Sequence, residues 1–438
     1  MGGLGDMTVY TGHASAFNVR EHGAAGDGLT LDMHTIQALI DRCAGQGGGT
    51  VYFPAGHYVT GSLFLRSNIT LHLDAGAVIL GSENPEDYPI IHSRWEGTHQ
   101  ETYAPLIAGK NLQNIAVVGR GIIDGRGAIW WKAKEEGTLA HPRPRLVSFS
   151  DCNNVLIEGI TAVNSPSWTI NPVHCQNVTI RGITVINPAD SPNTDGINPD
   201  SCRLVHISDC HVSVGDDCIT LKSGTEHEQP DRSAPCRDIT ITNCTLERGH
   251  GGVVIGSEMS GGVKNVVISN CIFVGTDRGI RIKSRRGRGG IVEDIRVTNL
   301  IMDGVLCPFT MNLYYNIGEY GNLSISDKNP RSIDDGTPRL RRIHFSHITA
   351  REVKHAAGFL YGLAEMPLED ISLKDISISI SEEADSGYPE MADDIPSMSQ
   401  AGFFIRNARH IRLERVEVTG QLGPEFDVDD SVEVEIVK

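Results

Sequence analysis

The stretch "NNVLIEGI", Asn153–Ile160, decides how the rest of the chain is read, because it comes back. It returns as "QNVTIRGI", "RLVHISDC", "RDITITNC", "KNVVISNC", "EDIRVTNL", "RRIHFSHI", "EDISLKDI" and "RHIRLERV". Each copy has apolar residues at a position p and at p+2, a polar residue or Gly at p+4, and another apolar residue at p+5. With p as the first apolar residue, the copies begin at Val155, Val178, Val205, Ile239, Val266, Ile295, Ile343, Ile371 and Ile411. Ile115, in "QNIAVVGR", reads as an earlier copy.

Apolar and polar residues alternating over four positions describe a strand with one face inward. The change of phase between p+2 and p+5 places a corner there, and Gly, Asn and Asp are the residues that tolerate the bend. Most steps between copies run from 23 to 34 residues, and those of 40 or more hold loops or a degraded extra copy. A strand, a corner and a second strand, recurring every ~25–30 residues, describe a solenoid of stacked coils. The expected fold is all-β, a single-stranded right-handed parallel β-helix.

The bulk composition agrees. The 438 residues include 48 Gly and only 6% aromatics, which suits short strands and tight turns better than helices packed on a sheet. Length alone suggests two or three domains, but a solenoid core grows in one dimension and need not split. One domain over 1–438 is expected, with an N-terminal cap over about 17–60 and residues 1–16 outside it. Within the cap, "LDMHTIQALIDRCAG" (Leu31–Gly45) predicts a short amphipathic helix with Ile36, Leu39, Ile40 and Cys43 on one side. Loops are expected at Trp95–Thr102, Ile129–Pro144, Pro308–Pro338 and in the acidic stretch Glu382–Ser399.

The ten Cys show no CxxC pair and no zinc-ligand spacing, so they read as free, buried core residues. Cys210, Cys244 and Cys271 share slot p+5 and are expected to stack in an internal ladder. The first residues hold no apolar run long enough for a signal peptide, and Met7 is available as a natural start. No stretch approaches the ~18 apolar residues of a membrane span, so no membrane partner is expected. A cytoplasmic location is expected, with a secreted or periplasmic one if a leader has been removed.

Where polar residues break the repeat, a site becomes visible. The segments "TDGI", "DDCI", "HGGV" and "DRGI" align through Ile197, Ile219, Val253 and Ile280, one in each of four neighbouring coils. Parallel coils are ~4.8 Å apart, so these segments form a column. One file reads Asp195, Asp217, Gly251, Arg278, and the file beside it Thr194, Asp216, His250, Asp277. Arg281 and Lys283 are two apart on a strand and share a face. A column of polar residues is often an inert solvent-facing ladder, yet carboxylates ~5 Å apart raise one another's proton affinity. Acid–base chemistry on one substrate, as in glycoside hydrolysis, is a use for that arrangement.

The stretch "DRGIRIKSRRGRGG" (Asp277–Gly290) concentrates six Arg and Lys in a chain of net charge −17. It reads as a nucleic-acid patch, a solvated loop or a seat for an acidic substrate. Nucleic acid is disfavoured, because the rest of the chain is acidic and no aromatic or helical reader accompanies the patch.

The segments "NTDG" (Asn193–Gly196), "GDDC" (Gly215–Cys218), "GHG" (Gly249–Gly251) and "RIK" (Arg281–Lys283) resemble, in order, the four signature motifs of family 28 glycoside hydrolases, the polygalacturonases. The resemblance implies an inverting hydrolase of α-1,4-linked galacturonic acid that uses neither metal nor cofactor. Its partner would be a pectic poly- or oligogalacturonate. By motif, Asp216 is implied as general acid, Asp195 and Asp217 as holders of the attacking water, and His250 as tuning the acid or binding substrate. Arg281 and Lys283 are implied to bind the galacturonate carboxylate, with Asn193, Lys222, Glu258 and Tyr314 as further substrate contacts. Arg285, Arg286 and Arg288 either extend the steering field or belong to a solvated loop.

"GSEMSGGV" (Gly256–Val263) is similar to bacterial exo-acting members of that family. Insertions at Thr225–Pro235, Ile129–Pro144 and Pro308–Pro338 stand beside the column, where they are expected to close one end. Release of galacturonic acid from the non-reducing end is therefore expected. The alternatives are an endo-acting enzyme, a rhamnogalacturonan-cleaving relative, a Ca²⁺-dependent lyase and a non-catalytic carbohydrate-binding β-helix.

Overall fold

A computed structural model of the chain describes residues 16–228 and 233–438. The expected start at Met7 lies outside the described residues. The chain winds into a parallel β-helix, and the repeat read from sequence is its register. Ile115 pairs with Val155, Val155 with Val178, Val178 with Val205 and Val205 with Ile239. Val266, Ile295, Ile343, Ile371 and Ile411 follow without a slip. The steps of 40 or more residues are single coils with loops, since their p residues pair directly. The sequence reading missed the coils at either end, where Val117 pairs with Leu71 and Ile411 with Val434.

Each coil has a second corner that the p+4 rule did not show. The residue before p is left-handed in coil after coil: Asn68, Asn114, Asn154, Asn177 and Asn265 have φ between 54 and 64°. Asn tolerates this conformation and can also bond along the stack. Asn154 Nδ2 donates to Asn114 Oδ1 at 2.8 Å, and Asn114 Nδ2 to Asn68 Oδ1 at 2.9 Å. Inside, one apolar core runs from Phe17 to Val418. All ten Cys are free and buried, and Cys210, Cys244 and Cys271 stack in successive coils, where Thr245 N donates to Cys210 O and Ile272 N to Cys244 O.

Helix α1 spans Met33–Gly45 and buries Ile36, Leu39, Ile40 and Cys43 against the first coils. It starts two residues later than expected because Leu31 belongs to the strand Asp27–Leu31. Two expected loops are structured. Trp95–Thr102 lies in an antiparallel hairpin of strands Ile90–Trp95 and Thr98–Tyr103. The insertion at 129–144 begins with helix α2, Ala128–Glu135. The loop expected from Pro308 begins only after the strand Cys307–Asn312. Among the described residues, no helix is long and apolar enough to cross a membrane.

Candidate active site

A second sheet, on another face of the coils, carries the polar column. Isolated bridges pair Ile170 with Ile197 and Ile197 with Ile219, and ladders pair Ile219 with Val253 and Val253 with Ile280. This is the alignment read from the motifs. Asp195 and Asp217 therefore stand in one file and Asp216 in the next. One carboxylate oxygen from each of the three lies within 4.8 Å of the others.

Gly251 pairs with Asp217 on the neighbouring strand. A Cβ at Gly251 would come 3.3 Å from Asp217 Oδ1 and 3.4 Å from Arg281 Cδ. Without it, the strand Arg278–Lys283 reaches back across the gap. Arg281 Nη1 donates to Asp217 Oδ1 at 3.3 Å, and Lys283 Nζ to Asp217 Oδ2 at 2.9 Å.

These contacts divide the labour among the carboxylates. Burial alone would raise the proton affinity of Asp217, but Lys283 and Arg281 outweigh it and hold the group ionised well below the usual carboxylate range. Asp216 is pushed the other way, by burial and then by the charge of Asp217. Asp195 is raised by burial and by Asp216, and its Oδ2 accepts from Asn198 Nδ2 at 2.9 Å. Above them, His250 Nδ1 bonds Asp277 Oδ2 at 2.8 Å, and this bond raises the imidazole above its ordinary value.

The three carboxylates do not make a good cation cage. Calcium takes six to eight oxygens, whereas both oxygens of Asp217 are held by cations and one of Asp195 by Asn198. The donor set suits proton handling better.

Other expected contacts fall into place unevenly. Lys222 Nζ donates to Glu258 Oε2 at 2.8 Å and lies 5.0 Å from the Trp168 ring centroid. Lys222 and Asp195 sense one another's charge, so the Lys222–Glu258 pair borders the cluster. Asn193 Oδ1 accepts from Lys134 Nζ at 2.6 Å and from Arg143 Nη2 at 2.7 Å. Tyr314 is fully buried under Lys328 and Arg286, its ring tilted against Tyr361. The aromatic that meets the site cations is its neighbour Tyr315, whose ring lies 5.2 Å from Lys283 Nζ and 5.6 Å from Arg281. Adjacent side chains leave the backbone in different directions, and only Tyr315 turns to the cleft.

The distal arginines are neither a free field nor a solvated loop. Arg286 grips Glu365 with two nitrogens, and Arg285 and Arg288 both hold Glu226. Glu390 was missed altogether. It is 1% exposed, takes Arg281 Nε at 2.8 Å and Nη2 at 2.5 Å, and is held down to about 2, Arg281 outweighing burial. The backbone oxygens of Tyr388 and Pro389, just before it, accept from Arg278. The acidic stretch 382–399 thus folds over the basic one, and the complementary charge of the two segments was the available signal.

Residues 59–390 match the family described as "Glycosyl hydrolases family 28". The chain is 34% identical to a probable polygalacturonase of Vitis vinifera, over 84% of this chain and 77% of that one. It is 28% identical to an endo-polygalacturonase of Pectobacterium carotovorum, over 66% of this chain and 73% of the other. Among solved structures it resembles a hyperthermoactive exopolygalacturonase from Thermotoga maritima, with TM-score 0.76, 29% identity and 91% of each chain covered.

Proposed function

The chain belongs to glycosyl hydrolase family 28, and from that premise we propose that it hydrolyses α-1,4-linked galacturonic acid. We further propose that it works from the non-reducing end and releases the monosaccharide with inversion. The observation that carries the chemistry is the unequal state of three carboxylates within 4.8 Å, Asp217 held ionised while Asp195 and Asp216 are both raised toward their protonated forms. Two raised carboxyls beside a fixed negative charge can share a single proton, so that one is placed to act as acid and the other as base on one bond.

Asp216 gives its proton to the glycosidic oxygen as the bond breaks. The attacking water lies between Asp195 and Asp217. Asp217, pinned by Lys283 and Arg281, orients it. Asp195 takes its proton, since a neutral Asp216 no longer opposes ionisation of Asp195, while burial keeps its affinity for a proton high. Lys283 and the Nη1 edge of Arg281 receive the substrate carboxylate beside the scissile bond, Arg281 being held in place by Glu390. His250, bonded to Asp277, stands over Asp216 as a second positive group. Reaction at this site requires a pectic substrate and draws on protein side chains alone.

Exo action is supported by the wall on one side of the column. The hairpin tip docks on the 225–228 segment, where Thr225 Oγ1 donates to Gly97 O at 2.9 Å. Arg94 ties the hairpin to Asp200 and Glu228, and at its base Tyr103 packs on Trp130 of α2 at 5.0 Å. This continuous barrier suits a chain end better than a passing polymer.

The test is product analysis on polygalacturonic acid over time. Monomeric galacturonic acid with slow loss of viscosity is expected. An early ladder of oligomers with a rapid viscosity drop would overturn exo action alone, and ultraviolet-absorbing unsaturated products would overturn hydrolysis. The cluster is tighter than the ~6.5–9.5 Å common between the acid and base of inverting enzymes. Proton NMR of the first-formed sugar therefore bears directly on stereochemistry, and a retained anomer would sink the inversion.

A further inference from the structure

Most buried cations of this chain come with a carboxylate. Arg94 has Asp200 and Glu228, Arg281 has Glu390, Arg286 has Glu365, Arg288 has Glu226 and Lys222 has Glu258. Arg145 instead lies over two rings, 5.0 Å from Trp168 and 5.6 Å from Trp95. Buried Arg143 is built differently, together with the exposed Lys134 beside it. Both give a hydrogen bond to one neutral atom, Asn193 Oδ1. The other Arg143 contacts are the backbone oxygens of Pro166 and Pro192, at 2.8 and 2.7 Å. Among the described residues neither cation has a carboxylate at ion-pair distance or a ring beneath it.

That arrangement is costly without an anion. Two like charges share an amide oxygen, and Arg143 is 2% exposed. Burial lowers Arg143 to about 10, and burial with the charge of Arg143 lowers Lys134. The carboxylates that each senses, Glu96 and Asp216 for both, act from a distance. With Oδ1 occupied by two donors, the Asn193 amide is locked, and among the described residues nothing accepts from its Nδ2. Asn193 is two residues before Asp195, and α2 carries Lys134 at the walled side of the column. Lys134 is exposed on that helix, so its head group is open to a ligand.

We propose that Lys134 and the Asn193 amide form a carboxylate seat at the walled end of the cleft, which takes the terminal galacturonate of the substrate. Arg143 is the positioning residue that fixes the amide and keeps the seat positive. The seat rests on the hydrolase reading for its choice of substrate, and it makes chain-end selection a matter of charge as well as shape. Asp195 and Asp216 then lie between two cationic grips, Lys134 on one side and Lys283 on the other, which holds a polyanion across the bond to be cut.

The experiment uses the full chain carrying Asp216→Asn, so that substrate is held without being cleaved. Calorimetry compares trigalacturonate with the same trimer whose non-reducing-end carboxyl is reduced to an alcohol. The seat predicts about tenfold or more tighter binding of trigalacturonate, since the lost contact is a charge-assisted hydrogen bond. Adding Lys134→Met should erase that preference, and Lys134→Arg should restore most of it. Thermal melting serves as the control on folding. If the Lys134→Met chain still prefers the intact trimer, or weakens both ligands equally, the seat is wrong. Turnover by the otherwise unaltered chain is scored separately. Absence of cleavage there overturns the hydrolase reading, while the binding comparison still decides the seat.

Discussion

On the long sheet, successive coils set Ile115, Val155, Val178, Val205 and Ile239 in one file, each on its like. On the second sheet, neighbouring coils take the file through Asp195, Asp217, Gly251 and Arg278, so that carboxylate, glycine and cation follow one another. The backbone spacing is the same on both faces. A file of equals adds small, interchangeable stabilities, as solenoid repeats do. A file of unlike groups sets carboxylates beside one another and against cations, and each member depends on its neighbours. Interchangeable packing thus occupies one face, and mutually dependent charges the other.

The sharpest way to break this contrast is Asp216→Asn. Loss of a positioned acid typically costs ~10²–10⁴-fold in kcat, with the fold retained. A variant keeping more than about a tenth of the rate removes Asp216 from its role. The same change should stabilise the protein, and the sign follows from linkage. The Asp216 carboxyl is raised in the folded state by burial and by Asp217, so the unfolded chain ionises first and stability falls as pH rises through that window. Melting temperatures at pH 5 and pH 8 should show the variant gaining on the parent at the higher pH.

Next in size is Glu390→Gln. Removing one partner of a buried ion pair costs about 3 kcal/mol, because the other charge is left uncompensated. Denaturant midpoints measure it. The pH dependence runs opposite to that of Asp216. Glu390 is lowered to about 2 because Arg281 outweighs burial, so its contribution is fully present above the ordinary Glu value of ~4.3 and is lost as pH falls toward 2. The variant should therefore lose less stability than the parent between pH 5 and pH 3. Equal acid slopes would show that the 382–399 segment does not act through Glu390.

Lys283→Met isolates the pinning of Asp217. Without Lys283 Nζ on its Oδ2, the Asp217 carboxyl should move up toward the ordinary range, and the acid limb of the kcat/KM profile with it. An unmoved limb would mean that Arg281 alone keeps Asp217 ionised. The smallest effect belongs to the uniform face. Asn154→Ala places a β-carbon without a polar group at φ 60° and removes the bond to Asn114, at a cost of about 1 kcal/mol. Asn154→Gly should recover most of it, and kcat should not change in either. A loss of activity from Asn154→Ala would tie the two faces together more closely than their separate construction implies.

How much of this was legible is clear from particular residues. Val155 and Ile411 declare their partners because a coil returns the chain to the same register, so a local pattern carries long-range information. Asp195, Asp216, Asp217, His250 and Lys283 sit in that register and inherit its legibility. The hairpin at 90–103, Lys134 on α2 and Glu390 do not, because they lie in excursions from the coils whose length and direction follow no period. Tyr314 is expected beside the cations but is buried away from them, and Tyr315 lies there instead, since the segment after Asn312 leaves the strand and alternation no longer says which side a ring takes.

By itself, then, the sequence determined the stack, its register, its core and the coming together of the polar column, since all four follow from a repeat whose period equals one turn of the helix. Only the tertiary structure decided which carboxylate stays ionised, which arginines are bound to structural acids, and which cations, Lys134 and Arg143, have no carboxylate at ion-pair distance among the described residues. Those outcomes depend on burial and on distances of a few ångströms between segments more than 100 residues apart, as Arg281 and Glu390 are at 109 and Arg94 and Glu228 at 134. Electrostatics in a dry cleft is set by what lies nearest in space, and no periodic pattern encodes where an excursion comes back to rest.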